Sequence, residues 1–145
     1  MNDPEVIEEM LRTAETIAVV GMSDKTWRAS HNIGRYLASK GYRVLPVNPA
    51  LESIRGMACY PTLEAAETAA RAEGAGGIDL VDVFRASEHV PAIVDDVIRL
   101  KIPYLWLQEG VCHEEAVKWA EADGTLVVMD RCIYKEHARL DLVGR

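Results

Sequence analysis

Five short apolar runs constrain this chain most, because amphipathic stretches long enough for helices separate most of them. The runs are TIAVVG (16–21), YRVLPVNP (42–49), GIDLVDVF (77–84), PYLWLQEG (103–110) and TLVVMD (125–130). Between them lie HNIGRYLASKG, SEHVPAIVDDVIRLK and HEEAVKWAEADG; the first sets Ile33, Tyr36 and Leu37 on one helical face. Continuously apolar strands alternating with helices imply βαβ units in a parallel sheet covered on both faces. Right-handed crossovers make a doubly wound, Rossmann-like α/β sheet of about five strands the simplest closure.

Local signals place the boundaries. Asp3 before Pro4 predicts a helix start, with Val6, Ile7, Met10 and Leu11 as its apolar stripe. Gly41 stops the second helix. After Asn48-Pro49 a short edge strand is expected near 57–60, then a helix past Pro61 capped by Thr62. Ser87 with Val90 opens a further helix. The last segment, RCIYKEHARLDLVGR (131–145), leaves helix and irregular chain both open. No repeat, low-complexity tract or linker interrupts the sequence. One domain over 1–145 is therefore expected, with an N-terminal helix in 1–15 and a tail in 131–145.

A formal charge of −7 argues against a nucleic-acid surface, so a local basic cluster carries more information here. No apolar run has the length of a membrane span, and the acidic start MNDPEVIEEMLR is unlike a signal peptide. A cytoplasmic location is the expectation. Cys59, Cys112 and Cys132 form no CxxC, which favours free thiols over structural zinc.

In a doubly wound sheet, ligands bind beyond the carboxyl ends of the strands, at the switch in strand order. The turn after the first strand, GMSDKTWRAS, is polar and locally basic. Ser23, Thr26 and Ser30 offer hydroxyl donors, Lys25 and Arg28 offer charge, and the following helix start offers backbone N–H groups to a phosphate. The competing reading is a solvated loop in which Ser30 caps the helix. An ordinary dinucleotide loop fits less well: after Gly21 the next glycine is Gly34, and no acidic residue ends the second strand. NADP could draw on Arg28, but no hydride-transfer partner stands out.

Taken together, IAVVGMSDKTWRASHNIGRYLASKGYRVLPVNP, DLVDVFRASEHVPAIVDDVI, LWLQEGV and VVMDRCIYKEHARL resemble the small stand-alone CoA-binding proteins. These are in turn similar to the N-terminal CoA-binding domain of the succinyl-CoA synthetase α subunit. The likeness implies coenzyme A lying across the strand ends. It places Gly21, Ser23, Asp24, Lys25 and Thr26 at the nucleotide and phosphates, with Arg28 and Ser30 on the small family's own signature. It puts Val47, Asn48 and Pro49 at the second turn, where the synthetase lysine gives way to Leu51 and Glu52; Arg85 or Lys25 would replace that charge. Phe84 walls the pocket, and Gln108, Glu109 and Gly110 fall near the thiol-bearing arm. Val47, Pro49 and Phe84 are candidates for an apolar adenine slot. Trp27, where relatives have proline nearby, either stacks on adenine or packs on its own domain.

The remaining reactive residues have plain readings. His31, His89, His113 and His137 suit solvated or capping roles, and none pairs with a nucleophile in sequence. Cys112 and Cys132 follow strand ends, and the helix start after Cys112 would lower its thiol pKa. Three functions stay open. One is a CoA or acyl-CoA binding module without catalysis, acting as sensor, carrier or partner subunit. The others are an NAD(P)-dependent oxidoreductase-like protein, and a thiol-based redox or acyl-transfer protein using Cys112 or Cys132. A homodimer through an exposed edge or the C-terminal block is a possible assembly, as is a partner protein.

Overall fold

Strand burial in the computed structural model, which describes residues 1–74 and 76–140, follows a two-sided pattern. All five residues of β1 (Thr16–Val20) are buried. Ala18 and Val20 face one layer, together with Leu45, Val47, Val81, Val83, Leu105 and Leu107; Ile17 and Val19 face the other, with Val44, Leu80 and Trp106. A strand covered on both faces has no polar side to alternate with, so it reads as a continuous apolar run.

In chain order the elements are α1 (Pro4–Thr13), β1, α2 (Ala29–Ser39), β2 (Arg43–Val47), β3 (Ser53–Ile54), β4 (Met57–Ala58) and α3 (Leu63–Ala72). Then come β5 (Leu80–Val83), α4 (Val90–Arg99), β6 (Tyr104–Leu107), α5 (Glu114–Ala122), β7 (Leu126–Val128) and α6 (Ile133–Leu140). The five-stranded sheet runs β2-β1-β5-β6-β7, and every neighbouring pair is parallel. This is the predicted doubly wound α/β fold. Helices α3, α4 and α5 supply one buried layer, while α1, α2 and α6 supply the other. The chain runs outward from β1 to β2 and then crosses back to β5, so the strand-order switch lies between β1 and β5.

Several local signals act as their chemistry requires. The Asp3 carboxylate accepts the Glu5 N–H at the start of α1, and Thr62 Oγ1 accepts the Ala65 N–H at the start of α3. Gly41, at φ +99°, ends α2. Two expectations need correction. The strand expected near 57–60 forms over Met57–Ala58, but it pairs antiparallel with β3 in a small hairpin, and Tyr60 joins the main sheet by a parallel bridge to Val47. Ser87 opens a short 3-10 turn (Ser87–His89), and α4 itself begins at Val90. The tail is helical over Ile133–Leu140; its remainder, 141–145, lies outside the described residues. Among the described residues no helix is long and apolar enough to cross a membrane.

The central strand holds an unusual group. Asp82 of β5 is fully buried, in register between Val19 and Trp106, and among the described residues neither carboxylate oxygen has a hydrogen-bond partner. Burial pushes its pKa well above the usual carboxylate range. The folded chain therefore keeps a proton that the unfolded chain releases above about pH 4. Stability then falls as pH rises from the unfolded carboxylate's pKa toward the higher pKa of the folded state. Asp82→Asn removes this linkage. The melting-temperature gap between Asp82→Asn and the native chain should thus widen in favour of the variant as the pH rises above about 4. A gap that stays flat over that rise would contradict the assignment.

Candidate functional site

The site begins where β1 stops. Gly21 has φ +89°, and a Cβ there would lie 2.7 Å from the Phe84 carbonyl oxygen and 3.0 Å from Arg85 Cδ. Only glycine lets the end of β1 pass this close to the end of β5. Gly34 plays a second part inside α2, since a Cβ there would meet Met22 Sδ and Cε at 2.6 Å. These glycines give the close backbone approach and close helix packing that dinucleotide loops achieve with a different spacing.

The loop between β1 and α2 is braced from within. The Ser23 N–H donates to Ser30 Oγ at 3.0 Å, and the Lys25 N–H donates to Ser23 Oγ at 3.0 Å. His31 Nδ1 lies 2.9 Å from the Ser23 carbonyl, and the Asn32 amide donates to Thr26 O at 3.0 Å. From the neighbouring strand, the Asn48 amide donates to Met22 O at 3.0 Å while its Oδ1 accepts the Ala50 N–H. Ser30 is therefore not the helix cap. Arg28 occupies that position, and its side chain makes no capping bond. As a result, the N–H groups of Ala29 and Ser30 have no partner among the described residues.

Beside those donors opens a crevice of about 430 Å³. The first turn lines it with Gly21, Trp27, Arg28, Ala29 and Ser30. The end of β5 contributes Phe84 and Arg85, and the segment after β6 contributes Gln108, Glu109 and Val111. Neither Arg28 nor Arg85 forms an ion pair among the described residues, whereas Glu109 is neutralised by Lys135 at 3.2 Å. Two free guanidinium groups and the positive end of a helix dipole thus face one opening, in a chain whose net charge is −7. Trp27 is 76% exposed, so it does not pack on its own domain.

Of the residues singled out by sequence, the fold brings Gly21, Arg28, Ser30, Phe84, Arg85, Gln108 and Glu109 to this crevice. Lys25, Asp24 and Thr26 are exposed on the adjoining loop, without lining it. Ser23 and Asn48 brace that loop, Pro49 is exposed at its turn, and Val47 packs into the core layer of α3. Val47 and Pro49 therefore build no slot with Phe84. Gly110, at φ +83°, donates its N–H to Asp130 Oδ1 at 2.7 Å, outside the lining. The lining also includes Ala29 and Val111, which sequence reasoning passed over.

The histidines and cysteines divide. His113 Nδ1 accepts the Ala116 N–H as the cap of α5, and His89 is exposed beside Glu88. His31 and His137 are each only 1% exposed, contrary to the solvated roles expected of them. The Cys112 thiol is raised rather than lowered: desolvation is the largest cause, followed by Asp130 and Glu114. Cys132 is buried, and neither cysteine lines the crevice.

A family described as "CoA binding domain" matches residues 15–138, a span that includes every residue of the crevice. The chain belongs to this CoA-binding family. A relative from Bacillus subtilis, the uncharacterized protein YneT, is 35% identical over 132 residues, covering 91% of this chain and 92% of the relative. A hypothetical protein from Pyrococcus horikoshii superposes with a TM-score of 0.85 at 33% identity, covering 97% of this chain and 93% of that one. A Thermus thermophilus structure reaches 0.84 at 34% identity, covering 95% of this chain and 98% of that one. Within the family fold, β2 ends here at Val47 and Asn48 follows it, so no carboxylate stands at that strand end, and the Asn48 side chain is engaged by Met22 and Ala50.

Proposed function

We propose that the crevice binds coenzyme A or an acyl-CoA, and that the protein acts as a sensor, carrier or partner subunit without chemistry of its own. One observation carries this reading. The uncapped start of α2 presents the Ala29 and Ser30 N–H groups beside two arginines that lack carboxylate partners among the described residues. Such a corner suits a pyrophosphate, which needs several donors and cations at once. Trp27, Phe84 and Val111 provide apolar surface for the adenine and the pantetheine arm. A ribose diol of NAD would want the acid that β2 lacks.

Thermal unfolding with CoA, acetyl-CoA, NAD, NADP and ATP tests the reading. CoA at about a hundred times its dissociation constant should stabilise the fold by about 2.7 kcal/mol, with acetyl-CoA close to it and NAD well below. No shift at millimolar CoA, or a larger one with NAD, would overturn it.

A further inference from the structure

The C-terminal helix is fastened to the same strand end that lines the crevice. The Arg131 N–H donates to Leu107 O at 3.2 Å, and Trp106 Nε1–H donates to Arg131 O at 2.9 Å. The Ile133 N–H donates to Gln108 Oε1 at 3.1 Å, and Lys135 Nζ reaches the Glu109 carboxylate at 3.2 Å. All four ties end on residues 106–109, of which Gln108 and Glu109 face the crevice. The other side of α6 rests on α2. His137 Nδ1 lies 2.8 Å from the Tyr36 hydroxyl, and the Tyr134 and Tyr36 rings meet edge-on at 4.6 Å. Because α2 starts at the crevice, α6 spans two elements that build the site while lining none of it.

Gln108 is the joint between them. It is 5% exposed, and its amide oxygen accepts from the first residue of α6, which fixes Nε2 as the donor left over. Among the described residues Nε2 has no hydrogen-bond partner. A largely buried amide with an idle donor is stabilised when a ligand acceptor meets it. The amide and thioester carbonyls of a pantetheine-type arm are acceptors of that kind. The amide plane is rigid, so an acceptor that orients Nε2 also orients Oε1 toward Ile133.

Resting on the reading that the crevice takes CoA, we propose that Gln108 is a positioning residue that couples ligand occupancy to the seating of α6. Such coupling is reciprocal: a ligand that seats α6 binds more weakly, by the same factor, when α6 is loosened.

Amide hydrogen exchange on the full chain, with and without saturating CoA, tests this directly. In the native protein CoA should slow exchange both at Ala29 and Ser30 and along Ile133–Leu140, the latter by about fivefold. Gln108→Met should speed α6 exchange in the free protein and abolish the CoA effect on α6, while protection at Ala29 persists. Gln108→Glu keeps an acceptor for the Ile133 N–H but loses the donor. Its α6 should exchange as slowly as the native helix in free protein, yet gain nothing from CoA. Protection by CoA at Ala29 without any change in α6 of the native chain would overturn the coupling and leave the ligand reading intact. Full CoA protection of α6 in Gln108→Met would overturn it equally. An absence of protection everywhere would overturn the ligand reading, and the coupling with it.

Discussion

Gly21→Ala is expected to lower the stability of the free protein by about 3 kcal/mol, or about 10 °C in melting temperature. Two effects combine. The residue sits at φ +89°, where an L side chain costs roughly 1–2 kcal/mol. Its new Cβ would also press to 2.7 Å on the backbone oxygen of Phe84, which no rotamer change relieves. Gly56 provides the control, with φ +83° but nothing within 4 Å of where a Cβ would stand. Gly56→Ala should therefore cost only about 1 kcal/mol. Thermal melts followed by circular dichroism distinguish the two; equal losses would mean that the β1–β5 approach is not what requires glycine.

Arg28→Ala combined with Arg85→Ala should weaken CoA binding at least about a hundredfold, since hydrogen bonds to charged groups contribute roughly 1.5–3 kcal/mol each. The same double variant should melt no lower than the native chain without ligand. Both arginines lack ion-pair partners among the described residues, and a cation at a helix N-terminus opposes the dipole. Titration calorimetry for affinity and melting of the free protein together separate this from ordinary destabilisation. Loss of stability without loss of affinity would show that the arginines serve the fold and not the ligand. Added salt should narrow the difference in affinity, because part of it is long-range attraction.

Much of the fold was legible because parallel strands and helix caps have local signatures. TIAVVG and GIDLVDVF could hardly be anything but buried strands, and Thr62 marked the start of α3 by its own chemistry. Strand β4 fell where a short strand was expected, but its partner β3 escaped because a two-residue strand carries no periodic signal. Burial of His31 and His137 was hidden for a different reason. The partner of His137 is Tyr36, 101 residues away, so only the packing of α6 on α2 creates its environment. Asp82 looked like one polar residue in an apolar strand; its lack of partners among the described residues depends on what β1 and β6 set beside it.

The site divides along the same line. Arg28, Phe84, Arg85 and Gln108 were visible as strand-end residues of suitable type, and topology alone gathers them. Ser23, Ser30 and Asn48 looked like ligand donors in sequence, yet their hydroxyl and amide oxygens accept loop N–H groups. Polar residues near a phosphate-type turn brace the backbone as readily as they touch a ligand. Sequence did offer the N–H groups of this helix start to a phosphate; that they belong to Ala29 and Ser30 depends on Arg28 falling at the cap.

A crystal structure with CoA bound is the most direct test of the central claim. Its pyrophosphate oxygens should lie within about 3 Å of the Ala29 and Ser30 N–H groups and of the Arg28 and Arg85 guanidinium groups. CoA seated elsewhere would contradict the account. The groove of Arg35 and Arg55 between α2 and the β3–β4 hairpin, with the crevice beside Gly21 left open, would be the clearest such result.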